Sequence, residues 1–560
     1  MDAMRSNNIL MGPEWANVRA LFKATGFTQM ELEKPIIGIV NASNTVCPGH
    51  AHLNLVVQRV KDGIHTEGGM AVEFSTIGAC DGIAMAHTGM SYVLPTREMI
   101  ANDIEAMAQA HQLDGLVMVG SCDKIIPGML LGALRVNIPA IFINGGPALP
   151  GHMKNGKGYG REFIDHSIIQ QSEGALASNL ITKKEFTWIE EHAVPTVGSC
   201  AMLGTANTMA CLAEAMGMAL PGSAAIPAVY SARLATAYMS GRAVMKLVDN
   251  DIKPRDIVTY DALANAIKVN SAIGGSTNAV LHLLAIAYES RVKLVLDEFN
   301  EIGSDIPHLV PLIPSGAYTL LDFYEAGGVP ALMKQLSNCL NLSSMSCTTK
   351  TIGENLFSFE VFDEDVIRPL SNPVHHRGGI AVLRGNIAPD GAITKPSAIP
   401  EAALTFTGPA KIFESENEAL IAIRSLQIKE GDVLVIRNEG PKGGPGMPEM
   451  YKAMKILVGM GLGEKVCVIT DGRFSGSNNG CFVGHICPEA YDNGPIAYLQ
   501  DGDIISVDVP NRRIEVLDVD FGKRRETMTQ NPKKSVEGVL YQYRRQVRSS
   551  SEGAVIPTRD

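Results

Sequence analysis

Three cysteines stand where their neighbours could help them to bind metals. Cys122 is followed by Asp123, Cys80 is followed by Asp81, and Cys200 ends the segment VPTVGSC. Thiolates are soft ligands that suit iron–sulfur clusters, whereas carboxylates are hard ligands that suit Mg²⁺. Because adjacent side chains in extended backbone point in different directions, a Cys-Asp step can offer one ligand to a cluster and the next to a hard cation. A buried reduced thiol is the alternative interpretation of each cysteine taken alone.

A cluster held by three cysteines would leave one iron without a protein ligand. Such an iron is a Lewis acid that can polarise a substrate hydroxyl. The chain has 10 cysteines in 560 residues and no C-x-x-C pair, so it does not have the pattern of a small disulfide-bonded protein.

Two glycine-rich segments present further polar groups. The segment GPKGGPGMPEM (440–450) has an irregular backbone that presents Glu449, and VCVITDGRFSGSNNG (466–480) runs from a strand into a turn that displays Ser475. The order GRFSG differs from the G-x-S-x-G of a nucleophile elbow, which argues against a serine hydrolase. A surface turn is the alternative for the first segment.

Alternating strands and helices would position the first group of residues. Short apolar runs rich in Ile and Val predict buried strands at 35–43, 71–80, 114–122 and 138–146. Helical spacing predicts helices at 52–69 and 96–112, the second with Thr96 as its N-cap. This alternation predicts an α/β domain with a parallel sheet. Ligands of such sheets bind beyond the carboxyl ends of the strands, where Cys122 lies.

The pattern changes near residue 375. Residues 205 to about 345 are mostly helical in pattern, whereas short β-rich runs follow after 375 and end in a predicted hairpin around 510–512. We therefore predict an α/β domain over 1–375 and a β-rich, barrel-like or sandwich domain over 376–560. Residues 147–175 are predicted to be a loop, and the absence of a G-x-x-x-x-G-K-[ST] pattern argues against a phosphate-binding role.

Composition limits the partners. The net charge of −11 repels phosphate backbones, so nucleic acid is not an expected ligand. The sequence shows no signal peptide and no apolar run near the roughly 20 residues that span a bilayer, so we expect a cytoplasmic protein without membrane contact.

Six segments in the same order resemble the dihydroxy-acid dehydratase and sugar-acid dehydratase family over nearly the whole chain. The segments are CDGIAMAHTGMSYVLPTREMIAN (80–102), CDKIIPGMLLGA (122–133), GSCAMLGTANTM (198–209), AIGGSTNAVLHLLAIA (272–287), GPKGGPGMPEM (440–450) and TDGRFSG (470–476). The resemblance implies a homodimer of two-domain subunits, with the site between the domains. It also implies that a small 2,3-dihydroxy acid loses water to give a 2-oxo acid.

The family's functional residues correspond to the groups described above. Cys122 and Cys200 correspond to iron–sulfur cluster ligands, and Ser475 corresponds to the catalytic base. The residues that correspond to Mg²⁺ ligands are Asp81, Asp123, Glu449 and Lys124, the last as a carbamylated lysine. Carbamylation needs a neutral amine, and burial of Lys124 would lower its pKa in that direction.

The third cluster ligand departs from one family pattern. Members with a 2Fe-2S cluster have a cysteine in a P-C-N segment, whereas this chain has VCPGHAH (46–52) with Gly49 at that place. Cys47 is one candidate for the third ligand. Cys80 is the favoured candidate, because C-D-G resembles members with a 4Fe-4S cluster and repeats the thiol-then-carboxylate order. Both cluster types remain open here.

The sequence favours dehydration of 2,3-dihydroxy-3-methylbutanoate to 3-methyl-2-oxobutanoate, a reaction of branched-chain amino-acid biosynthesis. TDGRFSG (470–476) and GHICPEA (484–490) resemble these enzymes, whereas LPGSAAIPAV (220–229) and VNSAIGGSTN (269–278) resemble sugar-acid (aldonate) dehydratases. A cluster-bearing sensor without turnover is the third alternative. A sensor would need neither a base at Ser475 nor a hard-metal site.

Overall fold

Four parallel strands form the N-terminal sheet of the protein. The structure is a computed structural model that describes residues 4–85, 87–153, 163–177, 179–476, 478–528 and 534–559. The strands are β1 (Ile36–Asn41), β2 (Met70–Ser75), β3 (Gly115–Gly120) and β4 (Ala140–Asn144), in the sheet order β2-β1-β3-β4. All three strand pairs are parallel. The predicted α/β domain with a parallel sheet is therefore confirmed. Because the strands are parallel, their carboxyl ends all lie at the same edge of the sheet.

The central strands are buried on both faces, as their sequences require. Every residue of β1, β3 and β4 is buried, which explains the continuous Ile- and Val-rich runs. Helices cover both faces and continue beyond the sheet. The α-helices of eight or more residues in the described part of the chain are Ala16–Ala24, Leu53–Thr66, Val93–Ala110, Ile125–Val136, Ser167–Ala177, Lys183–His192, Thr205–Ala215, Ser231–Asp249, Tyr260–Ile273, Asn278–Ser290, Gly328–Gln335, Glu416–Arg424, Lys452–Gly459 and Gly538–Gln546.

The helix predicted at 96–112 is present as Val93–Ala110, but the prediction that Thr96 is its N-cap was wrong. Thr96 lies within the first turn, where its hydroxyl donates to the carbonyl of Val93. The 3-10 turn Thr88–Tyr92 runs directly into this helix, so no extended residue is left to act as a side-chain cap.

The segment predicted to be a loop at 147–175 contains regular structure. It includes the short antiparallel strands β5 (Gly151–His152) and β6 (Phe163–Ile164) and most of the helix Ser167–Ala177. The part at 154–162 lies outside the described residues.

Eight strands in the described C-terminal region form a nearly closed, barrel-like mixed sheet in the order β16-β15-β9-β10-β12-β14-β8-β7. Its strands are β7 (Ala381–Leu383), β8 (Gly391–Thr394), β9 (Thr405–Phe413), β10 (Val433–Ile436), β12 (Cys467–Thr470), β14 (Cys481–Cys487), β15 (Ile504–Asp508) and β16 (Arg513–Val516). A bridge between Arg384 and Arg513 joins the two end strands. The β-rich, barrel-like domain and its hairpin, β15–β16, are thus confirmed.

Alternation along the barrel strands separates two cores. Val433 and Val435 of β10 pack into the barrel interior, whereas Leu434 and Ile436 pack against the outer helices. A separate two-stranded sheet pairs β11 (Glu449–Met450) in parallel with β13 (Arg473–Phe474). No helix in the described ranges is both long and apolar enough to cross a membrane. The division at residues 375 and 376 stays a prediction.

Candidate active site

One cavity of about 270 Å³ brings together nearly all of the residues that the sequence singled out. It lies where the carboxyl ends of the N-terminal strands meet the β11–β13 pair of the C-terminal region. The predicted site residues that line it are Cys47, Cys80, Asp81, Cys122, Asp123, Cys200, Glu449 and Ser475. Lys124 is completely buried beside it.

The carboxylates form one group around Lys124. Oxygen atoms of Asp81, Asp123 and Glu449 lie within 4.8 Å of one another. The Lys124 Nζ is 2.5 Å from Asp81 Oδ2, 2.8 Å from Glu449 Oε2 and 3.6 Å from Asp123 Oδ2. The second oxygen of Asp81, Oδ1, is buried and has no hydrogen-bond partner within the described part of the chain. An unsatisfied buried acceptor beside two other carboxylates indicates a cation site.

The charges of this group shift its pKa values in opposite directions. Burial and the neighbouring Asp81 raise the pKa of Asp123 to about 7. Burial and Arg473 lower the pKa of Lys124, but the three carboxylates outweigh them, so its pKa is raised. Burial thus acts in the expected direction, but the carboxylates reverse the net shift, so this state does not favour a neutral Lys124. Burial acts to raise the pKa of Glu449, yet Lys124 and Arg473 hold it below its ordinary value.

The thiols form a second group that lines the same cavity. The Sγ atoms of Cys47 and Cys122 are 3.4 Å apart. Cys80 lines the same cavity and is close enough to Cys47 that each thiol shifts the pKa of the other. Cys200 lines the same cavity, and its Sγ is 3.9 Å from His166 Nε2. The structure thus brings both candidates for the third cluster ligand to the same place.

Backbone geometry at the strand ends produces these groups. Cys122 follows β3 with a positive φ of 68°, an uncommon conformation for a residue with a side chain. Such conformations cluster at functional sites. A Cβ atom built on Gly49 would lie 2.7 Å from Cys122 Sγ, so position 49 faces the thiols, as the matching of VCPGHAH to the family's cysteine segment requires.

The β11–β13 pair places Glu449 and Ser475. Glu449 is in register with Arg473, and the backbone N–H of Ser475 donates to the carbonyl of Met450 at 2.9 Å. The Ser475 hydroxyl is hydrogen-bonded to the Glu449 carboxylate. The serine therefore lies at the cavity wall beside the carboxylate group.

Sequence reasoning missed two polar residues of this site. Arg473 is completely buried, and its Nη1 donates to Glu449 Oε2 at 2.7 Å while its Nε donates to the carbonyl of Met447. An arginine in a glycine-flanked turn is usually exposed, so sequence reasoning had little basis for placing Arg473 in the site. Its position two residues before Ser475 could have indicated that it lies near the catalytic group. His166 lines the cavity, but it fell in the segment predicted to be a loop.

The donor groups fit two different metal centres. The thiols are soft donors and the carboxylates are hard donors, and the two sets come from adjacent residues at Cys80-Asp81 and Cys122-Asp123. The orphaned Oδ1 of Asp81 gives the hard set an acceptor that a cation would satisfy.

Comparisons with known proteins agree with this arrangement. Residues 34–355 match the family model described as dihydroxy-acid/6-phosphogluconate dehydratase N-terminal, and residues 365–554 match the corresponding C-terminal model. Curated dihydroxy-acid dehydratases are similar over 99% of this chain and 100% of their own length: the protein of Pyrococcus abyssi is 49% identical, and that of Caldicellulosiruptor saccharolyticus is 48% identical. These matches confirm the predicted hydro-lyase. The chain belongs to the dihydroxy-acid/6-phosphogluconate dehydratase family.

Proposed function

We propose that this enzyme dehydrates 2,3-dihydroxy-3-methylbutanoate to 3-methyl-2-oxobutanoate. The names of the curated relatives support a dihydroxy-acid substrate. One observation carries the choice among such acids: apolar side chains make up much of the cavity wall. The apolar lining residues larger than alanine are Pro48, Ile83, Met85, Leu149, Ile169, Val194 and Met202.

This wall suits a branched substrate. Besides its hydroxyl, C3 of the proposed acid carries two methyl groups. Burial of these methyl groups against apolar side chains is favourable. A sugar acid carries hydroxyls on each following carbon, and those groups need hydrogen-bond partners when they are buried. Beyond the donor groups and Ser475, the polar lining residues are Asp165, His166, Ser199 and Thr205. His166 lies near Cys200, and the hydroxyls of Ser199 and Thr205 are already hydrogen-bonded within the protein, to Asn207 and Ser276.

We assign the donor groups to two cofactors. Cys80, Cys122 and Cys200 would hold an iron–sulfur cluster. Asp81, Asp123 and Glu449, with a carbamylated Lys124, would hold Mg²⁺. When they are bound, these cofactors supply Lewis acids for the leaving 3-hydroxyl and for the charge that develops at the carboxylate end of the substrate.

Ser475 would carry the proton transfer. As the alkoxide, its oxygen takes the proton from C2, and the C2–C3 double bond forms while the C3–O bond breaks. The leaving hydroxide takes that proton back from the Ser475 hydroxyl and departs as water, which restores the alkoxide. The resulting enol becomes the 2-oxo acid by tautomerisation. Lys124 must leave its carboxylate partners as a neutral amine before carbamylation, and this exchange is favoured when a divalent cation replaces its charge. A homodimer, a cytoplasmic location and a role in branched-chain amino-acid biosynthesis remain predictions of the sequence.

The substrate test compares two acids under identical conditions. Anaerobically purified protein is incubated with 2,3-dihydroxy-3-methylbutanoate or with gluconate, and 2-oxo acid is trapped as a hydrazone. We expect kcat/KM for the branched acid to exceed that for gluconate by at least about 100-fold, because buried polar groups without partners disfavour the wrong substrate. Formation of product from gluconate alone would overturn the proposal.

A further inference from the structure

Four thiols line the cavity, and the proposed iron–sulfur cluster takes three of them as ligands. Cys47 is the extra thiol when Cys80, Cys122 and Cys200 hold the cluster. We propose that Cys47 and Cys122 are a disulfide site, which closes when Cys122 is not bound to iron and hydrogen peroxide is present. This inference builds on the proposed cluster ligands but does not depend on the identity of the substrate.

The sulfur atoms of Cys47 and Cys122 need only a small movement to form a bond. Their separation is 3.4 Å, and a disulfide bond is about 2.0 Å long, so they need to approach by only about 1.4 Å. The Cys200 sulfur lies beside His166 instead, at 3.9 Å from its Nε2. Cys80 lines the same cavity and is close enough to Cys47 to shift the pKa of its thiol, so it is the competing partner that an experiment must distinguish.

The loop around Cys47 holds this geometry. The backbone N–H of Cys47 donates to Asn44 Oδ1 at 2.9 Å, and its carbonyl accepts from the N–H of His50 at 2.9 Å. Gly49 leaves free the space beside Cys122, because a Cβ atom there would be 2.7 Å from Cys122 Sγ. The loop is thus held by its own hydrogen bonds with the two sulfurs in contact.

The chemistry balances with peroxide as the two-electron oxidant. The Cys122 sulfur attacks one oxygen of hydrogen peroxide, the O–O bond breaks, and a sulfenic acid and one water form. The Cys47 sulfur then displaces the hydroxyl of that sulfenic acid, giving the disulfide and a second water. Both thiol protons end in water. A dithiol reductant reverses the bond, whereas a sulfenic acid without a neighbouring thiol proceeds to irreversible sulfinic acid.

Another thiol pair provides an internal control for proximity. Cys467 and Cys481 lie opposite each other on β12 and β14, with their sulfurs 3.1 Å apart. Both are completely buried in the barrel interior, whereas Cys47 and Cys122 line the cavity. If access as well as distance governs the reaction, peroxide will oxidise the cavity pair and leave the barrel pair reduced.

The test measures peptide masses. Full-length protein purified anaerobically is treated with hydrogen peroxide, free thiols are blocked, and the protein is digested with trypsin without reductant. Cys47, Cys80 and Cys122 fall in different tryptic peptides, at 24–59, 62–97 and 98–124. We expect a cross-linked peptide of 24–59 with 98–124 that disappears after dithiothreitol treatment. The peptides of Cys467 and Cys481 should remain unlinked.

Two variants separate the outcomes. Cys47→Ser should keep the iron content of the parent protein, should lose the cross-link and should accumulate Cys122 sulfinic acid, whereas Cys80→Ser should still form the cross-link. Loss of iron in Cys47→Ser, a dominant link between 24–59 and 62–97, or equal linking of the barrel pair would overturn the proposal. These measurements do not involve turnover, so failure of the substrate assignment would be seen separately.

Discussion

Cys122 and Asp123 are adjacent in sequence but belong to different donor groups. Cys122 lies beside the other thiols, and Asp123 lies 3.6 Å from the Lys124 ammonium among the carboxylates. The same division occurs at Cys80 and Asp81. This separation could be predicted from the Cys-Asp sequence alone. Thiolates and carboxylates prefer different metals, and the side chains of adjacent residues point in different directions.

Replacement of Ser475 by alanine should slow the reaction without loss of metal. We expect Ser475→Ala to lower kcat by about 10²–10⁴-fold, the usual effect of losing a positioned acid or base. The backbone hydrogen bond from Ser475 to Met450 would remain, so iron content should not change. The rate of 2-oxo acid formation and iron analysis measure both effects.

Ser397→Ala is the matched control for this change. Ser397 is a buried serine of the same region that is not among the residues lining the cavity, and we expect it to keep the parent rate. An unchanged kcat in Ser475→Ala, or a loss of iron, would contradict the assigned role.

Charge balance at the residue scale could not be predicted from sequence. The raised pKa of Lys124 depends on Glu449, which is distant in the chain, and on two nearer carboxylates. Arg473 compensates the same carboxylates from the C-terminal region. Such contacts appear only once the two regions are folded together.

The elements that position the site follow simple rules, with informative exceptions. Parallel strands were predictable from buried β-branched runs, and their carboxyl ends gave the correct edge for Cys122. The glycine-rich segment around Glu449 was less predictable, because its conformation depends on a tertiary contact. Gly446 has a φ of +84°, and a Cβ atom there would lie 1.7 Å from the carbonyl oxygen of Ser91.

Gly446→Ala should disturb the carboxylate group from a distance. The added methyl must push the segment away from Ser91, which moves the backbone three residues before Glu449. We expect a fall in kcat of at least about 10-fold, since small misplacements of reacting groups reduce rates strongly. Steady-state kinetics and Mn²⁺ binding would report the displacement.

Gly461→Ala separates contact from backbone strain. Gly461 has a similar φ of +76°, but a Cβ atom there would meet nothing within 4 Å. Both variants share the strain of roughly 1–2 kcal/mol for a left-handed alanine, so only the first should lose activity. Equal losses in the two variants would show that strain, and not the contact with Ser91, is responsible.

The site is complete only when the N-terminal and C-terminal regions are folded together. The thiols, Asp81, Asp123 and Lys124 come from the N-terminal region, whereas Glu449 and Ser475 come from the β11–β13 pair. The end of the chain also fastens the two regions together, because Arg97 Nη2 donates to the carbonyls of Gly553 and Ala554 at 3.0 and 2.8 Å. A two-region architecture was predictable, but these contacts across more than 450 residues of sequence were not.

The most direct test of two distinct metal centres is the metal content of Glu449→Gln. Iron is counted, and Mn²⁺ serves as a magnetic probe of the hard-cation site. Glu439→Gln is the matched control, because Glu439 is a buried carboxylate of the same region outside the group, with a pKa raised by burial to about 7. We predict that Glu449→Gln keeps its iron and binds Mn²⁺ at least about 10-fold more weakly, the order of loss seen when metal-site residues are removed, while Glu439→Gln keeps both. Loss of iron together with Mn²⁺, or unchanged Mn²⁺ affinity in Glu449→Gln, would contradict the account.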